Sequence, residues 1–222
     1  MVEHPPSSAI QPDRRARRRT FLDIARRRAQ PGTGSARPFL ECRMVSRQWP
    51  DLTATLTGIP WAVAGGVATR AYMPERATQD LDILVAEQDA SNVHRRLRSA
   101  GLTCAQTLAI GGTISGVPAC TPEGVFLDVI ESSEPWTAEA LRQAHTDPQG
   151  LPVLSLPYLA LMKVQSGRTQ DLADVARMLG LAPEKQRQAT RQVFERWLPD
   201  AREDLESLIA LGELETRDDT LH

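Results

Sequence analysis

The chain has 222 residues, with 26 Lys+Arg, 28 Asp+Glu and 4 His, for a formal net charge of -2. That length suits one domain, or one compact core with a small appendage, and needs no disulfide or metal staple to bury a core. With 41% hydrophobic and 24% charged residues, a collagen-like, coiled-coil or wholly disordered chain is excluded.

Three scattered cysteines, Cys42, Cys104 and Cys120, match neither a disulfide framework nor a zinc spacing. They point to a reducing, cytoplasmic compartment. Charge is unevenly spread. Residues 1–50 hold 11 Arg against 4 acids, and the remainder holds 15 Lys+Arg against 24 acids. The first eleven residues are Pro- and Ser-rich and read as disordered. Residues 13–29 can form a short Arg-rich helix carrying Phe21, Leu22 and Ile24, before Pro31-Gly32-Thr33-Gly34-Ser35 breaks the chain. This basic leader, residues 1–43, is expected to be a solvated tail; the other reading is an RNA-contacting arm. Met44 stands as an alternative start to Met1, and residues 1 to about 43 are expected to be dispensable for the fold. Arg18-Arg19-Thr20-Phe21-Leu22 resembles a twin-arginine export signal. However, Asp23 and Arg26-Arg27-Arg28 stand where its apolar segment belongs. The longest uncharged run, Leu52 to Thr69, carries four Thr, a Pro and three Gly, which is too polar for a membrane span.

From there the pattern alternates. Trp61-Ala62-Val63-Ala64 predicts a short buried strand running into Gly65-Gly66, and Val67 to Tyr72 a short helix. Leu81 to Val85 predicts an apolar strand bounded by acids, and Glu87 to Ala100 an amphipathic helix stopped by Gly101. Two or three short strands follow between Leu102 and Ala119, then a buried strand over Val125 to Ile130 and a helix over Thr137 to His145. Helices are predicted over Leu156 to Gln165, Arg168 to Leu179, and Glu184 to about Leu211 with a break at Pro199. Strands first and helices last indicate an α+β fold: a core over residues 44–150 and a helical C-terminal segment over 151–222.

Three acids stand where acids are costly. Asp80 and Asp82 flank Leu81 at the head of a strand, and residues i and i+2 share a face roughly 6.5–7 Å apart. Asp128 is the single charge in the apolar run Val125 to Ile130. If the two strands are neighbours, Asp128 faces the other two acids with roughly 4.5–5.5 Å between Cβ atoms. Carboxylates that close raise one another's pKa. A hard divalent cation resolves the conflict, and Mg²⁺ prefers a few carboxylates, waters and phosphate oxygens. A bare Asp-x-Asp, by contrast, is a solvated strand end. Upstream, Gly65-Gly66 lets a phosphate approach backbone amides with no Cβ in the way.

The combined text is Val63-Ala64-Gly65-Gly66-Val67-Ala68 and then Asp80-Leu81-Asp82-Ile83-Leu84-Val85, with a connection of thirteen residues from Gly66 to Asp80 that contains Arg76 and Thr78. It resembles the nucleotidyltransferase superfamily with the DNA polymerase β-like fold. Within that superfamily it is most similar to the bacterial branch of AbiEii-type toxins and minimal nucleotidyltransferases. The resemblance covers about Trp61 to Leu179. Downstream, Lys163 followed by Arg168-Thr169-Gln170-Asp171-Leu172-Ala173-Asp174 resembles the branch's Lys and Arg-x-Lys-Asp-x-x-Asp, with Gln170 in place of the usual Lys.

The resemblance implies a mixed sheet flanked by helices and a metal-dependent transferase. The phosphates of a nucleoside triphosphate would lie over Gly65 and Gly66, with Arg76 and Thr78 among the nucleotide-binding residues. Mg²⁺ would sit on Asp80 and Asp82, and Asp128 would help bind a second ion and deprotonate an acceptor hydroxyl. Attack at the α-phosphorus then expels pyrophosphate. Lys163 is a phosphate ligand or a snorkelling surface lysine, while Arg168 and Asp171 form a pair that orients the site. The acceptor is RNA, a protein or a small molecule; the acidic core favours the last two unless the Arg-rich leader supplies an RNA contact. The branch further implies the toxin of a toxin–antitoxin or abortive-infection system with a cognate antitoxin. The alternative is a non-catalytic nucleotide-binding or partner-binding module of the same fold. The four His have no metal spacing, and no Gly-x-Ser-x-Gly elbow, Walker A or dinucleotide fingerprint is present.

Overall fold

The structure, a computed structural model, describes residues 14–28, 49–74, 78, 80–105, 108–111, 114–147 and 149–216. Apolar runs form the strands β1 (Trp61–Val63), β2 (Asp80–Ala86), β3 (Thr103–Cys104), β4 (Leu108–Gly111), β5 (Ile114–Cys120), β6 (Phe126–Ser132), β7 (His145–Thr146) and β8 (Pro152–Val153). They make one mixed sheet in the order β3-β5-β6-β2-β1-β8-β7, with β4 on β5. The pairs β2–β6 and β1–β8 are parallel and the others antiparallel.

The helices are α1 (Arg14–Arg28), α2 (Gly65–Ala68), α3 (Ala90–Ser99), α4 (Thr137–Arg142), α5 (Leu156–Ser166), α6 (Thr169–Leu181), α7 (Glu184–Trp197) and α8 (Arg202–Thr216). The fold is α+β, a mixed sheet flanked by helices with a helical C-terminal segment, in agreement with the sequence pattern. The parallel pairing of β2 and β6 needs a crossover, and α3 with the antiparallel strands β3 to β5 provides it.

Alternation along the central strands decides what is buried. Leu81, Ile83, Val85, Leu127 and Val129 share one face and are fully buried. Helix α5 is apolar almost all round, with Leu156, Tyr158, Leu159, Ala160, Leu161 and Val164 buried, as a helix inside a core must be. Helices α6 and α8 cross in backbone contact. A Cβ on Gly180 would stand 2.4 Å from the Gly212 backbone, and one on Gly212 would stand 1.9 Å from the Ala176 carbonyl oxygen.

Two expectations change. The helix predicted over Thr137 to His145 ends at Arg142, and His145–Thr146 instead pairs with Pro152–Val153. The cause is Asp147. Its Oδ1 accepts from the Gln149 and Leu151 amides, both at 2.9 Å, which turns the chain locally. Its Oδ2 accepts from Arg70 Nε at 2.8 Å. Tyr72 donates to the Leu154 carbonyl at 2.6 Å, so this hairpin is tied to the segment that follows α2.

The solvated-tail reading also fails for part of the leader. Arg14–Arg28 is a helix docked on α8, with Leu22 buried. Arg18 pairs with Asp204, both side chains buried, and its Nη1 donates to the Val164 carbonyl of α5 at 3.4 Å. Arg15 and Arg19 face Asp200 and Glu203 at 4.0 and 3.6 Å. Asp200, Glu203 and Asp204, at and just before the start of α8, thus take up charge that the sequence left free for RNA. The segment Pro31 to Ser35, Cys42 and Met44 lie outside the described residues. No helix among the described residues is long and apolar enough to cross a membrane.

Candidate active site

Strand register brings the predicted acids together. Asp82 of β2 is paired directly with Asp128 of β6, and Asp80 with Phe126. Paired residues on neighbouring strands project to one face, as do i and i+2 along a strand. Asp80, Asp82 and Asp128 therefore share a face, Asp80 exposed and the other two half-buried.

Gly65 and Gly66 border this face from β1. The Ala64 amide donates to the Asp82 carbonyl at 2.8 Å, which sets the turn against β2. Gly65 has φ +56°, and a Cβ there would stand 1.7 Å from Asp82 Oδ2. The Gly66 amide donates to the same oxygen at 3.4 Å. The bare backbone at Gly65 thus makes room for the Asp82 carboxylate, a role the sequence reading, concerned with phosphate approach, did not assign.

Electrostatics follow from this packing. Burial raises the Asp82 carboxyl to about 6; the Asp128 charge adds to this, against opposing contributions from the Gly66 amide, Arg168 and Lys163. Burial also raises Asp128, with the Asp80 charge acting in the same direction. Like charges held side by side behave this way.

The second cluster lies on α5 and α6. Gly167, with φ +66°, ends α5 and turns the chain into α6. Lys163 is buried, and its Nζ donates to Asp171 Oδ1 and Asp174 Oδ2, both at 2.8 Å. Asp171 Oδ2 also accepts from Ser166 at 2.5 Å and from Arg168 Nε at 2.6 Å. Gln170 donates to Asp174 Oδ1 at 3.0 Å. Burial alone would raise Asp171; the Lys163 charge and the bonds from Lys163, Ser166 and Arg168 outweigh it and hold the carboxyl below its ordinary range. Arg168 is pushed up: burial lowers it, but the bond and charge of Asp171 and the charges of Asp82 and Asp174 prevail.

Lys163 is therefore not the snorkelling surface lysine. It is a buried cation between two acids, close enough to Asp82 to act on its charge. The pairing expected of Arg168 and Asp171 is present.

Two expectations stand apart. Thr78 makes a local contact, its hydroxyl donating to the Asp80 carbonyl at 3.4 Å. Arg76 lies outside the described residues. Asp80, Asp82 and Asp128 share a face, but no three His, Cys, Asp or Glu side chains among the described residues are gathered into a ready metal-binding group. The spacing along β2 holds Asp80 one pleat away at the exposed strand end, while Asp82 leans onto the Gly65-Gly66 turn. The donor chemistry still fits Mg²⁺: hard oxygens on one face, two of them with raised affinity for positive charge. Sequence reasoning passed over Ser166, and it marked Gln170 only as a departure from the family's Lys, not as a donor to Asp174. It also passed over Phe126, although alternation along β6 puts that ring on the Asp128 face.

No family model and no curated protein matches this chain. Among solved structures, it is similar to the antibiotic-resistance factor ANT(2'')-Ia in solution, at 14% identity and TM-score 0.39, over 72% of this chain and 85% of that one. The complex of ANT(2'')-Ia with adenylyl-2''-tobramycin is 16% identical with TM-score 0.38, over 73% and 92% of the two chains. The Cid1 poly(U) polymerase is 11% identical with TM-score 0.28, over 82% of this chain and 48% of that one. Likeness of this degree carries no argument about the chemistry, which rests on the residues themselves.

Proposed function

We propose that this protein is a metal-dependent nucleotidyltransferase, moving a nucleoside monophosphate from a nucleoside triphosphate to a hydroxyl acceptor. One observation carries the reading. Asp82 and Asp128 stand side by side on adjacent parallel strands, with Asp80 on the same face and the Gly65-Gly66 turn at its border. A structural role gives no reason to place three acids on one face with two of their carboxyls pushed upward.

Asp80, Asp82 and Asp128 would hold Mg²⁺, which when bound supplies Lewis-acid stabilisation of charge on the phosphoryl oxygens. Gly65 and Gly66 offer backbone with no Cβ to the phosphates. By the resemblance, Arg76 and Thr78 would be among the nucleotide's contacts. Asp171, with Asp174, fixes Lys163 and Arg168, whose positive field lies beside Asp82. That field favours the ionised carboxylate and draws in phosphate. Asp128, its carboxyl raised by burial and by Asp80, is the base placed to take the acceptor proton.

Incubation with each α-labelled nucleoside triphosphate and Mg²⁺, alone and with total RNA or cell extract, tests the reading. Transfer of label, abolished by EDTA and by Asp82→Asn, is expected. Nucleotide binding with no transfer in any arm would overturn it in favour of the non-catalytic module. The resemblance to AbiEii-type toxins adds a finer reading: the modified acceptor is essential to the cell, and a cognate antitoxin restrains the enzyme. Growth arrest on expression, relieved by Asp82→Asn, is the expected result.

A further inference from the structure

Phe126 is 59% exposed, although an aromatic ring has much area to gain from burial. It heads β6, in register with Asp80 of β2 on one side and Cys120 of β5 on the other. Alternation places it on the face of Asp128, two residues on. Nothing in the folding of the strand calls for a ring there, since its neighbours on this end of the face are the exposed Asp80 and the half-buried Cys120 and Pro118.

The order of strands gives the ring a direction. Gly65 and Gly66 approach Asp82 from the β1 side, and the sheet then runs β1, β2, β6, β5. A triphosphate at the glycine turn leaves the β6–β5 side for the acceptor, where Asp128 and Phe126 stand. Among the described residues, the face of β6 and β5 carries charge of one sign. On the shared face, β6 presents Phe126, Asp128, Ile130 and Ser132, and β5 presents Ile114, Gly116, Pro118 and Cys120. These two strands bring no cation to the face, so a phosphate chain laid across β6 and β5 would meet Asp128 with no cation from either strand to offset it.

We propose that Phe126 is the acceptor platform. It stacks on a flat ring of a small hydroxylated molecule that carries no phosphate chain, and so sets the hydroxyl against Asp128. The assignment rests on the nucleotidyl-transfer reading above. In the step it serves, the acceptor oxygen bonds to the α-phosphorus as its proton passes to Asp128, the α–β bridging P–O bond breaks, and pyrophosphate leaves.

The test uses the full chain, Mg²⁺ and α-labelled nucleoside triphosphate. Two acceptor probes are compared: the small-molecule fraction of a bacterial extract and a defined single-stranded RNA. Label is expected in the small-molecule fraction. Phe126→Leu keeps apolar bulk but removes the flat face. It is expected to raise the half-saturating amount of that fraction about tenfold, the scale of one aromatic stacking contact, with the half-saturating nucleotide concentration unmoved. Phe126→Trp is expected to recover most of the loss. Preferential labelling of the RNA, or equal acceptor dependence in wild type and Phe126→Leu, overturns the platform while leaving nucleotidyl transfer standing. Absence of label in every arm overturns both.

Discussion

At Gly65 the absence of one methyl group decides where Asp82 sits. Gly65→Ala puts a Cβ within 1.7 Å of Asp82 Oδ2 at a φ of +56°, so both backbone and carboxylate must move. Gly58, with φ +76°, has nothing within 4 Å of its would-be Cβ. Gly58→Ala is therefore expected to cost about 1 kcal/mol of backbone strain alone, and Gly65→Ala about 1–3 kcal/mol more together with loss of transfer. Urea midpoints of the two variants measure the difference. Asp82 itself makes stability depend on pH. Its folded carboxyl, near 6, holds a proton that the unfolded chain has already released. In metal-free protein, stability is therefore expected to fall as pH rises from about 4 to 6, by about 2–3 kcal/mol, and to level off above that. Asp171 acts in the opposite sense: its depressed carboxyl contributes stability that is lost only as pH drops below the ordinary carboxylate range. Denaturant titrations between pH 4 and 7 are expected to show the falling slope in wild type and a flatter profile in Asp82→Asn.

Helix α1 shows how elements recruit one another through charge. Arg18 and Asp204 are buried together, so removing one leaves the other unpaired in the interior. Asp204→Ala is expected to cost about 3–5 kcal/mol, whereas Glu203→Ala, which removes an exposed pair with Arg19, should cost less than about 1 kcal/mol. Comparable midpoints for the two variants would mean that α1 adds nothing to the fold. The same logic predicts that a chain starting at Met44 melts below the full chain, because it leaves Asp204 and the Leu22 site on α8 bare. That reverses what composition suggested. The Arg-rich run reads as a tail because its acidic partners lie on a helix 186 positions away in the chain, and only the fold reveals such a pairing. The burial of Lys163 was hidden for the same reason: its two acids stand on the next helix, within reach only after the Gly167 turn.

Across the molecule, local signals and long-range ones separate cleanly. The central strands, the glycine turn and the helical end were legible because each rests on periodicity or on a single residue's backbone freedom. The meeting of Asp128 with Asp80 and Asp82 was legible only as a condition, that their strands be neighbours, because each acid's face follows from alternation while strand order does not. The β7–β8 hairpin was not, because two-residue strands have no period to read, and Asp147 resembles any loop acid until Arg70 meets it. The distinction bears on how stability and function should respond to one substitution. Like charges on the Asp82 face oppose folding in the absence of metal, and Asp82→Asn relieves them, so in EDTA the variant is expected to melt a few degrees above wild type. For a chain of this size, about 1 kcal/mol moves the midpoint by about 2–4 °C. With Mg²⁺ and a nucleoside triphosphate at 100 times its dissociation constant, wild type is expected to gain about 2.7 kcal/mol from binding. The variant, having lost a carboxylate from the site, is expected to gain less than half of that shift. The two melting curves should therefore close up or change order between EDTA and ligand. A variant that melts clearly below wild type in EDTA would mark Asp82 as a structural residue and remove the basis for a metal site on this face.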